Sequence, residues 1–291
     1  MPNPFDLDDA EAYLHWHERK LKHAIVNANE LIVEINNPKA VTKAERAKMI
    51  SCCQRSNMAI YVTRVEMDEH SVQSFAEQFG LKQLDANWLA GEEGVTRITV
   101  CSDDAQRQNY IPYTDRAIKW HTDGYYNPPD RQIRGMVLHC AHSAGIGGEN
   151  RVMDHEIAYL MLRDKNADFI RALSAPDAMT IPERVDDIDG VRPAQTGPVF
   201  SIDPAKGALH MRYTARTRSI EWKQDELTRA AVVHLEQILS SQTPHIHQLL
   251  LERGMGLICN NVLHDRSAFT NDLSKPRLLY RARYLDRLSA S

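Results

Sequence analysis

Three side chains in two distant segments of the chain could bind one metal ion. In KWHTDGYYNPP, His121 and Asp123 stand two residues apart at the end of a predicted strand, so both side chains point to the same face. A further imidazole, His264, follows another apolar strand in NNVLHDRSAF. Two neutral imidazoles and one carboxylate on one face leave half of an octahedral coordination sphere open, which is typical of a non-haem Fe(II) centre. Zinc hydrolysis is the alternative, but the sequence has no HExxH motif.

A basic strand near the C-terminus could bind a small anion. In KPRLLYRARYLDR, strand alternation places Arg277, Leu279, Arg281 and Arg283 on one face. A planar guanidinium binds a carboxylate through two parallel hydrogen bonds. Arg277 is therefore a candidate for holding the distal carboxylate of a dicarboxylic cosubstrate, and surface salt bridging on an edge strand is the alternative.

The order of these motifs resembles the Fe(II)/2-oxoglutarate-dependent dioxygenases of the taurine dioxygenase (TauD/TfdA) superfamily, including its γ-butyrobetaine hydroxylase-like branch. The resemblance covers about residues 94–287 and rests on WHTDGYYNPP, GMVLHCAHSAGIGGENRVMD, NNVLHDRSAF and RLLYRARYLD. It implies a double-stranded β-helix, or jelly roll, in which iron is held by His121, Asp123 and His264. It also implies that 2-oxoglutarate chelates this iron while Arg277 holds its far carboxylate.

Two departures from the family pattern affect what the resemblance implies. Where many relatives have Thr at the end of a GGDT or GGET tetrad beside the cosubstrate, this chain has GGEN and therefore Asn150. An amide can also donate a hydrogen bond to a carboxylate, so Asn150 is kept as a cosubstrate-binding candidate. The N-terminal cysteine-rich zinc module of γ-butyrobetaine hydroxylases has no counterpart, which argues against identity with that enzyme.

The resemblance implies an oxidoreductase that consumes O2 and 2-oxoglutarate and releases succinate and CO2. The expected reaction is hydroxylation of a small anionic, amino-acid-like or betaine-like substrate, with desaturation, cyclisation or carbon–heteroatom cleavage as alternatives. Because halogenating relatives replace the carboxylate ligand with a small residue, Asp123 argues against halogenation. A hypothesis from a different class is a non-catalytic jelly-roll protein that binds or senses a small molecule.

Four residues are candidates for contact with the substrate. Arg281 corresponds to the arginine that binds the substrate sulfonate in taurine dioxygenase, and here it could bind a carboxylate, sulfonate or phosphonate. Tyr125, Tyr126 and Asn127 directly follow the predicted metal ligands and could line the pocket, where a Tyr ring offers a flat wall or a cation–π site. Ordinary packing is an equally good interpretation of each Tyr.

Other basic residues of the motifs have more than one interpretation. Arg283 could bind substrate or form an ion pair with Asp286 or Glu149. Arg266 follows His264 by two residues, and we expect it to support that ligand without touching the metal. The histidines of PHIHQLLL are expected to be structural.

The predicted elements form one domain over residues 1–291, with a helical N-terminal part (1–93) and a jelly-roll core (94–291). Periodic apolar residues predict a long helix from Asp6 to Ile35, a shorter one after Thr42 and a third over about 71–79. Later residues form short apolar runs separated by Gly, Pro and Asn, and one long helix is predicted at about 223–240. The strands are VTRITV, GMVLHCA, GPVFSI, ALHMRY, HIHQLLL, GLICNNVL and RLLYRARYL.

Composition narrows the classes of partner. The chain has 291 residues, 43% hydrophobic and 25% charged, with a formal net charge of −4. Such a charge gives no general affinity for nucleic acid or an anionic membrane, so a small-molecule substrate is the expected partner. Residues 251–291 nevertheless contain seven Lys and Arg against four Asp and Glu. The chain has five cysteines without CxxC spacing, and its N-terminus has no apolar signal core. These features predict a cytoplasmic protein, and the sequence is compatible with a homo-oligomer.

Overall fold

The computed structural model describes residues 3–85, 94–100, 110–186, 190–216, 220–272 and 274–289. Six α-helices lie in these ranges: α1 (Ala10–His23), α2 (Lys43–Ser56), α3 (Glu69–Glu77), α4 (His155–Lys165), α5 (Ala167–Leu173) and α6 (Glu226–Ser240). None of these helices combines the length and apolar character that a membrane crossing requires.

Short strands make up most of the remaining regular structure in the same ranges. They are β1 (Ile32–Glu34), β2 (Met58–Val62), β3 (Thr96–Ile98), β4 (Ile118–His121), β5 (Gly135–His142), β6 (Ile146–Gly147), β7 (Asn150–Met153), β8 (Met179–Ile181), β9 (Arg184–Asp186), β10 (Gly190–Arg192), β11 (Gln195–Gly197), β12 (Phe200–Ile202), β13 (Leu209–Met211), β14 (Glu221–Trp222), β15 (Ile246–Leu249), β16 (Met255–Cys259), β17 (Leu263–Arg266), β18 (Phe269–Thr270) and β19 (Leu278–Tyr284).

Two sheets form the jelly roll. The larger has six strands in the order β1-β2-β16-β5-β19-β3, and the smaller has four in the order β15-β7-β17-β4. Chain segments distant in sequence are neighbours in both sheets, because β17 pairs with β4 and β19 pairs with β5. This arrangement brings the ends of β4 and β17 opposite β19, where the motif residues lie.

Two hydrophobic cores hold the sheets and helices together. One includes Tyr61 of β2, Phe75 of α3 and Val137 of β5, all of them fully buried. The other joins Met153 and Leu263 of the smaller sheet to apolar residues of the helices α1, α4, α5 and α6. The smaller sheet is therefore covered by helices on its outer side, while its inner face is left for the motif residues.

The prediction of one long N-terminal helix from Asp6 to Ile35 is wrong. Helix α1 ends at His23, because Ala24 adopts an extended backbone, and the chain then forms strand β1. Strand β1 pairs in parallel with β2, so the N-terminal part supplies two strands of the larger sheet as well as helices. The β-branched residues Ile32 and Ile35 fit the helical spacing but belong to this extended segment.

The later helices were predicted only in part. Helix α2 begins directly after Thr42, whose side chain forms a capping box with Glu45, and α6 covers most of the predicted 223–240 range. Helices α4 and α5 were missed by the sequence reasoning. Asp154 caps α4, so an N-terminal signal for this helix is present in the sequence.

A buried cluster of charged residues connects α1 to the jelly roll. The Lys20 ammonium lies 2.6 Å from Asp154 and 2.5 Å from Glu156, and the ammonium and the Asp154 carboxylate are almost fully buried. The Asn57 amide donates to the same Asp154 carboxylate.

Four cysteines are free and buried, and the fifth, Cys101, lies outside the described residues. The single-domain organisation stays a prediction.

Candidate active site

The three residues predicted to bind metal come together in the structure. His121 ends β4 and His264 lies in β17, and the two residues are direct partners across the strand pair, with ring centroids 4.2 Å apart. Asp123 follows β4 by two residues. One potential ligand atom from each of the three buried side chains lies within 4.8 Å of the others, and the described residues contain no other such group of three His, Cys, Asp or Glu.

Backbone hydrogen bonds fix both imidazoles in the orientation that a metal needs. The Nδ1 of His121 lies 2.9 Å from the Lys119 carbonyl, and the Nδ1 of His264 lies 3.0 Å from the Val262 carbonyl. A carbonyl only accepts hydrogen bonds, so Nδ1 carries the proton in each ring and Nε2 keeps its lone pair for a metal. Burial and the neighbouring His264 lower the pKa of His121 to about 3, so this imidazole is neutral at physiological pH.

The Asp123 carboxylate has one oxygen in use and one without a partner. Its Oδ1 lies 3.3 Å from Nη1 of Arg281, whereas its Oδ2 is buried and has no hydrogen-bond partner among the described residues. Burial opposes ionisation, but the Arg281 guanidinium and then that of Arg283 hold the pKa of Asp123 well below its usual range. A buried anionic oxygen without a donor fits coordination to a cation, so the donor set suits a divalent metal.

A side chain not foreseen from the sequence, Asn261, positions the Asp123 ligand. The Asn261 Oδ1 accepts from the Asp123 backbone N–H at 2.8 Å, and its Nδ2 donates to the carbonyls of Asp123 at 2.9 Å and Ile133 at 2.7 Å. Asn261 has φ of 52°, which Asn tolerates better than most residues. The Asn-Asn pair after an apolar strand is the only signal in the sequence that could have indicated this turn.

The turn after Asp123 also depends on a glycine. Gly124 has φ of +67°, and a Cβ at this position would lie 2.3 Å from Cγ1 of Ile133. A side chain is therefore excluded on both conformational and steric grounds. Asn127 completes the turn: its backbone N–H donates to the Gly124 carbonyl and its amide donates to the Arg131 carbonyl. The amide of Asn127 is thus engaged in holding the turn.

Arg277 lies in a buried position without an acidic partner among the described residues. Its side chain is only 5% exposed, and the guanidinium lies 5.1 Å from the centre of the Phe269 ring. Arg266 lies 4.9 Å from the same ring, and its guanidinium donates to backbone carbonyls of residues 112, 114 and 116. Burial lowers the pKa of Arg277 to about 10. A bound anion would offset the free-energy cost of burying this charge, which agrees with the prediction that Arg277 binds a carboxylate of the cosubstrate.

Asn150 and Arg266 make backbone contacts near the predicted ligands. The Asn150 amide donates to the Asp265 carbonyl at 2.9 Å, while its buried Oδ1 accepts no hydrogen bond from any described residue. The amide group has a second hydrogen, so its role towards the cosubstrate stays a prediction. Arg266 fixes the segment before β4, and through that segment it supports the strand that carries His121.

The two other arginines of β19 lie beside Asp123 and Tyr126. Arg281 contacts Asp123, so the residue predicted for the substrate also touches a predicted metal ligand. Arg283 is buried and pairs with buried Asp85 at 2.7 Å, and it donates to the Tyr126 hydroxyl at 2.8 Å. The suggested pairing of Arg283 with Asp286 or Glu149 is wrong, because Asp85 supplies its charge partner.

Two aromatic residues after the ligand pair form a wall next to the metal centre. Tyr125 and Tyr126 contact each other edge to face, with ring centroids 5.1 Å apart. The Arg192 guanidinium lies 5.2 Å from the centre of the Tyr126 ring, although nothing in the sequence connected this residue to the motif. The predicted aromatic wall thus carries a cation from a distant hairpin.

These features define a class: a jelly-roll protein with a buried His-Asp-His site suited to a divalent metal. A family model described as taurine catabolism dioxygenase TauD, TfdA family matches residues 18–283. Because this match spans most of the chain, the protein belongs to that family. The printed description of this family is that of a dioxygenase, which agrees with the enzyme class expected from the sequence.

Individual relatives are more distant. A uridine-5'-phosphate dioxygenase from Amycolatopsis sp. is 29% identical over 177 residues, which cover 59% of this chain and 62% of that protein. A uridine-5'-phosphate dioxygenase from Streptomyces sp. is 26% identical over 228 residues, covering 72% of this chain and 77% of that protein. The chain therefore spans only about three fifths of the length of the first relative.

A solved structure confirms the fold class. Asparagine oxygenase in complex with Fe(II), 2S,3S-3-hydroxyasparagine and succinate superimposes with a TM-score of 0.63. The sequences are 14% identical, and the alignment covers 85% of this chain and 81% of the other. At this identity the likeness shows the shared double-stranded β-helix.

Proposed function

We propose that the protein is an oxygenase in which His121, Asp123 and His264 hold Fe(II) and Arg277 binds the far carboxylate of 2-oxoglutarate. The observation that carries this proposal is the buried triad, in which no described residue forms a hydrogen bond to either Nε2 atom or to the Asp123 Oδ2. When bound, iron and 2-oxoglutarate together supply the oxidation chemistry, with succinate and CO2 as products.

The protein's own residues position the reactants and keep water away. Asn261 holds the backbone of Asp123, and the carbonyls of Lys119 and Val262 orient the two imidazoles. Arg277 gives a charged anchor in an apolar setting beside Phe269. Such preorganisation matters because a small displacement of a ligand or substrate can cost a large factor in rate.

The substrate we propose is a small organic anion, and hydroxylation is the expected outcome. Uridine 5'-phosphate is the first compound to test, because both curated relatives are named as dioxygenases of it. Amino acids are the second class, because the asparagine oxygenase structure holds a hydroxylated amino acid. We also propose a single domain and a cytoplasmic location, with which the free buried cysteines agree.

Substrate-stimulated succinate formation tests this proposal. Protein supplied with Fe(II), 2-oxoglutarate and oxygen is incubated with nucleotides, amino acids, sulfonates and betaines, and succinate is quantified for each. We expect at least one anionic compound to increase succinate formation, and His264→Ala to abolish the increase. Binding of 2-oxoglutarate is measured in parallel by thermal unfolding with Mn(II). Absence of both stabilisation and succinate in folded protein would contradict the proposal.

A further inference from the structure

The described residues beside the metal centre carry more positive than negative charge. Asp123 is a nearby carboxylate that Arg281 contacts, while Asp85 pairs with both Arg283 and Arg131. Two further arginines, Arg192 and Arg216, have no ion-pair partner among the residues that the structure describes. These groups therefore comprise five arginines and two carboxylates before any metal is counted.

Arg192 lies on the hairpin formed by β9 and β10, in the position opposite Arg184. Its guanidinium lies over the Tyr126 ring, one Nη donates to the Pro182 carbonyl at 3.1 Å, and its buried Nε has no partner in the part of the chain that the structure describes. Burial lowers the pKa of Arg192. A half-buried guanidinium with an unused donor is stabilised when an anion binds to it.

Arg216 approaches the same wall from another part of the chain. It follows Thr214 by two residues, and Thr214 is the backbone partner of His121 in an isolated bridge. The backbone of this segment pairs with the end of β4, because the Ala215 N–H donates to the Trp120 carbonyl. The Thr214 side chain forms a hydrogen bond with the Tyr125 hydroxyl, and residues two apart in an extended segment share a face, so Arg216 lies on the same side as Thr214. Both cations are thus close to the aromatic pair that follows the metal ligands.

The Tyr126 hydroxyl provides a neutral donor at the same place. Its oxygen accepts a hydrogen bond from Arg283, which is itself held by Asp85. A hydroxyl that accepts from a guanidinium directs its own proton elsewhere, and no acceptor for that proton occurs among the described residues. Tyr126 can therefore donate to a ligand that binds beside Arg192, whose guanidinium lies over the same ring.

We propose that Arg192, Arg216 and the Tyr126 hydroxyl form a subsite that binds a phosphate dianion of the substrate. This inference rests on the proposed function and specifies its substrate class as a phosphate monoester. Two guanidiniums and one hydroxyl match the charge and the several acceptor oxygens of a phosphate. An amino acid would need a carboxylate for its ammonium group, but Asp123 is a predicted metal ligand and Asp85 is paired with two arginines.

Paired titrations test the subsite. Protein carrying Mn(II) and 2-oxoglutarate is titrated by calorimetry with uridine 5'-phosphate, with uridine as the phosphate-free match, and with inorganic phosphate. We expect uridine 5'-phosphate to bind at least about tenfold more tightly than uridine, and inorganic phosphate to compete with it. Arg192→Gln and Arg216→Gln should each reduce this preference by about tenfold while uridine affinity changes little.

Two controls separate charge recognition from damage to the fold. Arg171→Gln removes an exposed arginine on α5 and should leave the preference for phosphate intact. Arg192→Lys keeps the charge but loses the planar donor set, so it should retain part of the preference. Equal affinity for uridine 5'-phosphate and uridine, or a preference that survives both Gln substitutions, would overturn the subsite alone. Failure of 2-oxoglutarate to bind would overturn the proposed function and this inference with it.

Discussion

Arg277 gives the sharpest test of how stability and ligand binding are linked at this site. Its guanidinium is almost fully buried, contacts the Phe269 ring and has no acidic partner among the described residues. The change Arg277→Met keeps an unbranched side chain and removes the charge. If the guanidinium is present to bind a carboxylate, the ligand-free protein should become more stable while 2-oxoglutarate binding is lost.

The expected gain follows from the pKa of Arg277. Burial lowers this pKa from 12.5 to about 10, so below pH 10, where Arg277 is charged in both states, the charge is less stable in the folded protein than in the unfolded chain. At about 1.4 kcal/mol per pH unit, the charge costs about 3 kcal/mol. The variant also loses a cation–π contact worth about 1 kcal/mol and some packing. A net stabilisation of about 1 to 2 kcal/mol remains, which is a rise in Tm of about 2 to 6 °C.

The loss of ligand binding should be larger than this gain. A bidentate guanidinium–carboxylate interaction in a buried place contributes about 3 kcal/mol, so 2-oxoglutarate affinity should fall about 100-fold. Thermal unfolding with Mn(II), with and without 2-oxoglutarate, measures both effects in one experiment. The matched control is Arg171→Met, because the Arg171 side chain is 61% accessible to solvent. A variant that is less stable without ligand and is still stabilised by 2-oxoglutarate would refute the reasoning.

Three further predictions concern the residues around the site and the buried charges. Asn261→Ala should reduce Mn(II) affinity and lower the free energy of unfolding by about 2 to 4 kcal/mol, because three buried hydrogen bonds are lost. Asn261→Gly, which accommodates the left-handed backbone, should lower the free energy of unfolding by less, and equal decreases for the two variants would contradict this prediction. Lys20→Met should lower the free energy of unfolding, measured in urea, by about 3 to 5 kcal/mol, because it leaves two carboxylates without their cation. The control Lys22→Met, at an exposed position, should lower it by less than about 0.5 kcal/mol. Burial lowers the pKa of His139 to about 4 and that of His210 to about 3, so below pH 6.5 the unfolded state binds more protons than the folded state. The free energy of unfolding should therefore fall below pH 6.5, by up to about 3 kcal/mol per pH unit for the two histidines together. A urea midpoint that does not change between pH 7 and pH 5 would contradict this prediction.

The predicted ligand triad was accessible from the sequence because each part of it is local. His121 and Asp123 share a face by strand alternation, and His264 follows an apolar run that could only be another strand. The resemblance to a known family supplied the order of the motifs. The structure adds the cross-strand pairing of the two histidines. The sequence does not specify this pairing, because it does not show which strands are neighbours in the sheet.

The supporting residues were not accessible because their partners are distant in sequence. Asp85 and Arg283 are 198 residues apart, and Asn261 and Asp123 are 138 residues apart. Arg192 lies on a hairpin that carries none of the motifs. The N-terminal error has a different cause: the apolar residues after His23 fit a helical period and a strand period equally well, and only pairing with β2 decides between them.

Anaerobic spectroscopy tests the central claim, the metal and cosubstrate site, most directly. Protein with Fe(II) is titrated with 2-oxoglutarate in the absence of oxygen, and the visible charge-transfer band of the chelate is followed. We predict a saturable band in the wild-type protein, no band in His264→Ala, and a band in Arg277→Met only at much higher 2-oxoglutarate concentration. A folded wild-type protein without the band, or an unchanged band in His264→Ala, would contradict the account.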